Sequence, residues 1–362
     1  MIIPARPYPN IKALFSSQGD FDSTQYEFHF LGREALLSCM IKLGLKSGDN
    51  IIIPAYICDS SIKPLHVYGF NLIFIDIDKN LNLPCSELKR IIDSKEIKAL
   101  LLVHYFGYKQ EIKEIMDLCR EQRIKVIEDM SHGFLSQLLT NKKSIMGDAE
   151  IFSIRKSLPT ADGGAMRINN TIQNSNKTNI LAASDLNYLI LRYFERIVVW
   201  MGINIFSQFI NNFKNKFRRA RNEIPSFNVK TYKISWQLQK YLGNKQYLSA
   251  SQQKITKNFN QLSIALQNNG FRLFHKSLKD NAVPQACIVY DDNGGLVEYL
   301  RSEGIGAWQW PNDEIPDEVS DNSDQYPNTV FFDKNLVLIP VHQSLTEKKI
   351  NYMIRVLSRW YL

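Results

Sequence analysis

The chain has 362 residues, of which 44% are hydrophobic and 22% are charged. This balance is that of an ordinary folded protein, and it excludes a disordered, collagen-like or coiled-coil chain. The 44 basic and 36 acidic residues give a formal net charge of +8. That modest excess suits an anionic ligand but does not indicate nucleic-acid binding.

The five cysteines are scattered and form no CxxC pair. We therefore expect neither a disulfide framework nor a metal site, and the cysteine usage favours a reducing cytoplasm. The N-terminal segment MIIPARPYPNIK lacks a basic region followed by an apolar run, so no signal peptide is predicted. Residues 197–213 contain no charge, but Asn, Gln and Ser interrupt them, and we predict no membrane span.

Helical and strand patterns alternate from about residue 26 to 168 at the pace of a parallel α/β sheet. Strands are predicted at 51–53, 72–75, 99–103, 125–127, 151–153 and 165–168, and helices at 33–45, 59–68, 86–93 and 111–120. The short apolar runs are typical of strands buried on both faces. We therefore predict a large domain with a mostly parallel mixed sheet flanked by helices.

The composition changes after residue 170, where a polar loop precedes a long, mostly apolar helical stretch at 186–213 and a basic run at 214–221. We interpret residues 171–226 as a helical insertion. A basic run is usually a solvated face, and docking on a membrane surface or a partner is the alternative.

The remaining chain predicts a smaller α+β domain. Its predicted elements are a helix at 252–267, strands near 285–290 and 336–339, and a final helix at 347–360. We expect an N-terminal arm at 1–25, a large domain at 26–230 and a small C-terminal domain at 231–362.

Chemically suggestive residues follow the predicted strands, at the edge where open parallel sheets place their active sites. They are Glu128 to His132, His104 and Tyr105, and Ser153 and Lys156, while Gly32 and Arg33 open the first helix. A lysine amine, a carboxylate and a helix N-terminus are what a pyridoxal phosphate site requires, to form a Schiff base, hold the pyridine nitrogen and bind the phosphate. Singly, these signals are weak, because strand-end aspartates often cap helices and lone histidines are often structural.

Four motifs in order give the pattern its specificity. They are LGLKSGDNIIIP at 43–54, VIEDMSHGF at 126–134, GDAEIFSIRKSLPTADGGAM at 147–166 and LIPVHQSLTEKKI at 338–350. As a set, they resemble the DegT/DnrJ/EryC1/StrS family of sugar aminotransferases. The resemblance implies the fold-type-I architecture and a pyridoxal 5'-phosphate cofactor.

The resemblance also assigns roles to individual residues. Lys156 would be the Schiff-base lysine and proton shuttle, and Asp129 the partner of the pyridine nitrogen. His132 would lie by the ring hydroxyl. Ser153 and the backbone amides of Gly32 and Arg33 would bind the phosphate; His104 and Tyr105 would border the pocket, and Asp162, Gly163 and Gly164 would form a close-passing turn.

Several positions depart from the family pattern. Glu34 introduces a charge at the phosphate-binding helix start and would repel phosphate unless it is turned away. The usual stacking aromatic is replaced by Cys58, so that either its sulfur or Tyr56 takes that place. The spacings around Lys156 are also shorter than usual, and the partner-subunit motif has no clear counterpart, with Asn222 and Asn228 as weak substitutes.

The function implied by the resemblance is amino transfer from an amino acid, glutamate in the first instance, to a nucleotide-linked keto-sugar for surface polysaccharide biosynthesis. The enzyme would be a cytoplasmic homodimer with shared active sites. The alternatives are a pyridoxal phosphate sugar dehydratase or lyase, and a non-catalytic sugar-binding relative. Lys156 favours transamination, because histidine replaces this lysine in the dehydratases.

Overall fold

The computed structural model describes residues 1–16, 19, 21, 23–139, 145–160, 162–169, 234–279, 282–311 and 315–360. The predicted insertion at 171–226, with its apolar stretch and basic run, lies outside these ranges. So do Asn222, Asn228 and the expected domain boundary at 230–231.

The large domain is built on a seven-stranded mixed sheet. Its strands are β1 (Glu27–His29), β2 (Asn50–Pro54), β3 (Asn71–Ile75), β4 (Ala99–Val103), β5 (Lys125–Asp129), β6 (Ala149–Ser153) and β7 (Gly164–Ile168). Their order across the sheet is β1-β7-β6-β5-β4-β2-β3. Strands β2 to β6 pair in parallel, and β7 and β1 extend the sheet by antiparallel pairing. The predicted fold class is confirmed; strand β1 was not predicted from the sequence.

Helices belong to this part of the chain, and several of them contact the sheet. They are α1 (Ile11–Phe15), α2 (Gly32–Lys42), α3 (Asp59–Tyr68), α4 (Cys85–Ser94), α5 (Lys113–Glu121) and α6 (Phe134–Leu139). In α4, Leu88, Ile91 and Ile92 are buried at helical spacing while the rest of the helix is more exposed. Helix α3 ends at Gly69, whose φ of 98° is the left-handed conformation that favours glycine.

The C-terminal part contains a three-stranded antiparallel sheet in the order β8-β10-β9. Its elements are α7 (Trp236–Gly243), α8 (Lys245–Asn268), β8 (Ala286–Tyr290), α9 (Leu296–Ser302), β9 (Trp308–Gln309), α10 (Asp317–Ser320), α11 (Pro327–Asn335), β10 (Leu336–Pro340) and α12 (Glu347–Leu357). Helix α8 is longer than predicted and packs against α12. Within the ranges given above, no helix is long and apolar enough to cross a membrane.

The N-terminal arm and one turn of the large domain join the two sheets. Ile3 pairs with Ile305, and the Tyr8 amide donates to Ser344 Oγ at 3.0 Å. The turn Tyr105–Gly107 follows β4, and its Phe106 carbonyl accepts a hydrogen bond of 2.9 Å from the amide of Gln285. The small sheet is thereby fixed next to the carboxyl ends of the parallel strands.

Candidate active site

Lys156 and His132 are in direct contact at the carboxyl edge of the large sheet. Lys156 lies in the turn after β6, and His132 follows β5. Lys156 Nζ is 2.9 Å from His132 Nε2. The other ring nitrogen, Nδ1, accepts a hydrogen bond of 3.1 Å from the backbone amide of Phe106.

The second of these hydrogen bonds determines the protonation of the imidazole. A backbone N–H can only donate, so Nδ1 is unprotonated and the neutral ring carries its proton on Nε2. Burial, and then the nearby charge of Lys156, hold the pKa of His132 well below its ordinary value. His132 therefore donates through Nε2, and Lys156 accepts this hydrogen bond only as a neutral amine.

The environment of Lys156 favours that neutral amine. Burial lowers the pKa of Lys156 from 10.5 to about 8. Asp129 and Cys58 act against this effect, whereas Arg155 and Arg6 add to it. A lysine with such a pKa is a better nucleophile and base near neutral pH than an exposed one.

Asp129 ends strand β5 and is buried. Its Oδ1 accepts a hydrogen bond of 2.7 Å from the amide of Ser131, while Oδ2 has no hydrogen-bond partner among the described residues. The carboxylate is close enough to Lys156 and Tyr105 to act on both electrostatically. Asp129 thus offers an acceptor oxygen at the same edge of the sheet as the lysine.

The start of helix α2 forms a tight cradle beside Ser153. A Cβ added to Gly32 would lie 3.2 Å from Ser153 Cβ and 3.5 Å from Ser153 Oγ. A Cβ on Gly164 would collide with the backbone of Leu31 and Gly32. The close-passing turn predicted at 162–164 therefore lies directly behind the first residue of α2. A helix N-terminus next to a hydroxyl is suited to a phosphate group.

The two charged residues that follow Gly32 are turned to other partners. Arg33 Nη1 donates to the carbonyl oxygen of Ser60 at 3.5 Å. Glu34 Oε2 accepts from the backbone amide of Phe30 at 3.2 Å. Burial raises the pKa of Glu34, which weakens its negative charge further. The repulsion expected from Glu34 is thereby reduced.

Tyr56 does not take the place of the usual stacking aromatic, which the sequence left open between Tyr56 and the Cys58 sulfur. Its side chain is fully buried, and its hydroxyl donates to the Trp310 carbonyl at 2.6 Å. Tyr56 belongs to the core and is not presented to the site. Cys58 remains at the start of α3, with Sγ 3.3 Å from Ser60 Oγ. Phe106 stacks on His132, with the two rings parallel to within 3° and their centroids 5.5 Å apart.

His104 lies in the protein core and pairs with a buried glutamate. Its Nε2 is 2.9 Å from Glu128 Oε2, and its Nδ1 accepts from the amide of Gln110 at 3.1 Å. Both side chains of the pair are almost completely buried. The imidazole does not border the pocket as expected. Tyr105 is turned inward as well, since its hydroxyl donates to the carbonyl of Tyr56 at 2.7 Å.

Sequence reasoning missed the residues that the arm and the small domain bring to the site. A small pocket beside Lys156 is lined by Gln285, His342 and Gln343, and the charge of Arg6 acts on both Lys156 and His132. The motif at 338–350 includes His342 and Gln343 but gave no indication of their place. Arg6 and Gln285 lie in segments without a recognised motif.

These residues fit pyridoxal phosphate. Gly32 packs so closely against Ser153 at the start of α2 that a Cβ on Gly32 would crowd Ser153. Asp129 has an acceptor oxygen for the pyridine nitrogen, and Lys156 is an amine with a lowered pKa. Among the described residues, no group of three or more His, Cys, Asp or Glu side chains is arranged to hold a metal ion.

Similar proteins include curated enzymes of sugar metabolism. The chain is 28% identical over 141 residues to a GDP-perosamine synthase from Escherichia coli O157:H7, a stretch covering 38% of each chain. It is 30% identical over 156 residues to a dTDP-4-dehydro-2,3,6-trideoxy-D-glucose 4-aminotransferase from Saccharopolyspora spinosa, covering 42% of this chain and 40% of the relative. The matched stretches thus span well under half of these relatives.

The fold comparison extends over almost the whole chain. A DegT DnrJ EryC1 StrS aminotransferase from Brucella abortus superposes with a TM-score of 0.64 at 16% identity, covering 92% of this chain and 84% of that one. The model of the DegT/DnrJ/EryC1/StrS aminotransferase family matches residues 32–358. This range includes the four ordered motifs and the sheet edge with Lys156. The chain therefore belongs to the DegT/DnrJ/EryC1/StrS aminotransferase family, whose cofactor is pyridoxal phosphate.

Proposed function

We propose that this protein is a pyridoxal phosphate-dependent aminotransferase that moves an amino group from an amino acid, glutamate in the first instance, to a nucleotide-linked keto-sugar. The observation that supports the proposal most strongly is the contact of Lys156 Nζ with His132 Nε2 at 2.9 Å. Lys156 thereby provides a partly neutral amine at the edge of the sheet where Asp129 and Gly32 also lie.

Lys156 would have two tasks, to hold the cofactor and to move a proton. As a neutral amine, Lys156 Nζ would be the group that holds the cofactor, and when it is free its lone pair would accept a proton from the amino donor. The bound cofactor supplies an electron sink for the carbon that loses this proton. His132 would orient Nζ during both tasks through its Nε2–H.

Asp129 and the start of α2 would hold the two ends of the cofactor. The free carboxylate oxygen of Asp129 would keep the pyridine nitrogen protonated. Ser153 Oγ and the amides of Gly32 and Arg33 would bind the phosphate at the positive end of the helix dipole. Both groups lie at the sheet edge that carries Lys156, so they would hold the cofactor near this lysine.

The names of the relatives support the proposed acceptor. The names of the two curated relatives contain nucleotide-linked sugars, and we extend this substrate class to the present chain. The remaining parts of the proposal are a role in surface polysaccharide biosynthesis and a homodimer with shared active sites in the cytoplasm. The cytoplasmic location accords with five cysteines that form no disulfide among the described residues.

The half-reaction with glutamate tests the proposal. The purified protein, loaded with pyridoxal phosphate, is mixed with glutamate and followed by absorbance and by release of 2-oxoglutarate. Conversion to the pyridoxamine form supports transamination. An unchanged spectrum with consumption of the keto-sugar would favour the dehydratase or lyase, and a protein that binds no cofactor would favour the sugar-binding relative.

A further inference from the structure

One wall of the pocket beside Lys156 contains several polar atoms that have no hydrogen-bond partner within the described residue ranges. Its small-domain wall is formed by Gln285 before strand β8 and by His342 and Gln343 after strand β10. Three polar atoms of this wall, Gln285 Oε1, His342 Nδ1 and Gln343 Oε1, are buried without a hydrogen-bond partner in the described part of the chain. Buried polar atoms are normally satisfied, so such a cluster next to a reactive lysine is unusual.

The orientations of two of these side chains are fixed by their other atoms. Gln343 Nε2 donates to the carbonyl oxygen of Ser157 at 3.1 Å, which leaves Oε1 as the atom of this amide that has no partner among the residues that the structure describes. His342 Nε2 is 2.9 Å from the carbonyl oxygen of Pro4. Because a carbonyl only accepts, Nε2 carries the proton and Nδ1 is a bare acceptor.

A backbone hydrogen bond fixes Gln285 next to the side of the pocket that contains His132. The backbone amide of Gln285 donates to the carbonyl of Phe106, the residue whose own amide holds His132. Burial lowers the pKa of His342 to about 4, so that this ring is neutral at physiological pH. The wall therefore presents acceptors and no positive charge.

We infer that Gln285 and Gln343, with His342, bind ring hydroxyl groups of the sugar acceptor and so select for a hydroxylated keto-sugar. A set of acceptors pairs with hydroxyl donors and repels carboxylate or phosphate oxygens. The wall also carries no charged side chain that would bind the donor's carboxylate or the nucleotide diphosphate. This inference rests on the proposed function.

Binding without turnover tests the inference directly. The pyridoxal phosphate form is titrated calorimetrically with two 4-keto-6-deoxyhexoses that carry the same nucleotide. One has both ring hydroxyls, and the other is its 2,3-dideoxy counterpart. We expect the wild-type protein to bind the hydroxylated sugar at least about tenfold more tightly, since the dideoxy sugar leaves buried acceptors unpaired.

Variants of the two glutamines assign the preference to the wall. In Gln343→Met and Gln285→Met, which keep side-chain length but remove the acceptor, the ratio of the two affinities is expected to fall toward one. Gln343→Glu and Gln285→Glu retain an acceptor oxygen and are expected to keep a ratio above that of the matched Met variant. Circular dichroism and the melting temperature verify that each variant is folded.

Each outcome decides between the two proposals. Equal wild-type affinities for the two sugars, or a ratio unchanged in both Met variants, would overturn the inference. A wild-type preference that disappears in the Met variants would support the hydroxyl site. If the same protein did not react with glutamate, the hydroxyl site would be retained and the proposed aminotransferase activity would be refuted.

Discussion

Lys156 and His132 form a hydrogen bond whose direction is set by a third group. The Phe106 amide occupies Nδ1 of the imidazole, so the proton on Nε2 points at Lys156 Nζ, 2.9 Å away. A protonated lysine would have no lone pair to accept it. This hydrogen bond therefore forms with the neutral amine, whose share near neutral pH is larger for Lys156 than for an exposed lysine because the pKa of Lys156 is about 8.

The reactivity of Lys156 is expected to follow a pKa of about 8. The rate at which cofactor-free protein captures pyridoxal phosphate should rise with pH through a midpoint near 8, measured by stopped-flow absorbance. Ordinary lysines would give a midpoint near 10.4.

The same pKa predicts the sign of a stability change. Because the folded pKa of Lys156 is below the unfolded value of 10.5, the unfolded state binds more protons between about pH 8 and 10.5. The contribution of Lys156 to the stability of the cofactor-free protein therefore rises over this window. Lys156→Met should remove this rise of the free energy of unfolding with pH, as measured by urea unfolding. If the free energies of unfolding of the wild type and the variant differed by the same amount at every pH, the lowered pKa would be contradicted.

The carboxylate of Asp129 is expected to be needed for turnover more than for folding. Asp129→Asn keeps the acceptor for the Ser131 amide but removes the charge, and should lower the rate of the glutamate half-reaction by about a hundredfold or more. Cofactor content and melting temperature are measured on the same samples. Full turnover in Asp129→Asn would remove Asp129 from its assigned role.

Ser153 is expected to contribute to cofactor affinity. Ser153→Ala should weaken pyridoxal phosphate binding about tenfold in equilibrium dialysis, because one hydrogen bond to a charged group is lost. Ser38→Ala is the matched control, since Ser38 is also buried but its Oγ binds Glu27, at 3.2 Å. Similar losses of cofactor affinity in both variants would mean that the effect arises from folding.

The buried pair His104 and Glu128 is expected to stabilise the fold without taking part in chemistry. His104→Phe should lower the free energy of unfolding by about 3 kcal/mol, because the buried carboxylate loses its partner. Burial alone would raise the pKa of Glu128, but the hydrogen bonds and charges around its carboxylate, chiefly those of His104, together keep the pKa below 4.5. The contribution is therefore present above about pH 4.5 and is lost as the pH falls further. A folded variant with wild-type stability and no cofactor absorbance would instead place His104 in the active site.

The predictable part of the structure is the part encoded by local patterns. Apolar runs such as 99–103 predicted the parallel strands, and strand ends such as Asp129 and Lys156 predicted the edge on which the site lies. Strand β1 was missed because its antiparallel pairing with β7 joins segments over 130 residues apart without a local signal.

The incorrect or missing assignments share one cause. The role of Tyr56 depends on its contact with Trp310, and that of His104 on Glu128. Gln285 reaches the site only because its amide binds Phe106. Each of these contacts links distant segments, and no spacing within the sequence specifies them.

Borohydride reduction of the cofactor-loaded protein, followed by peptide mass mapping, tests whether Lys156 is the lysine that holds the cofactor. Reduction fixes the cofactor to the lysine that holds it. We expect one labelled peptide, with the label on Lys156, and no label in Lys156→Ala. A label on another lysine of the wild-type protein, or an unlabelled Lys156, would contradict it.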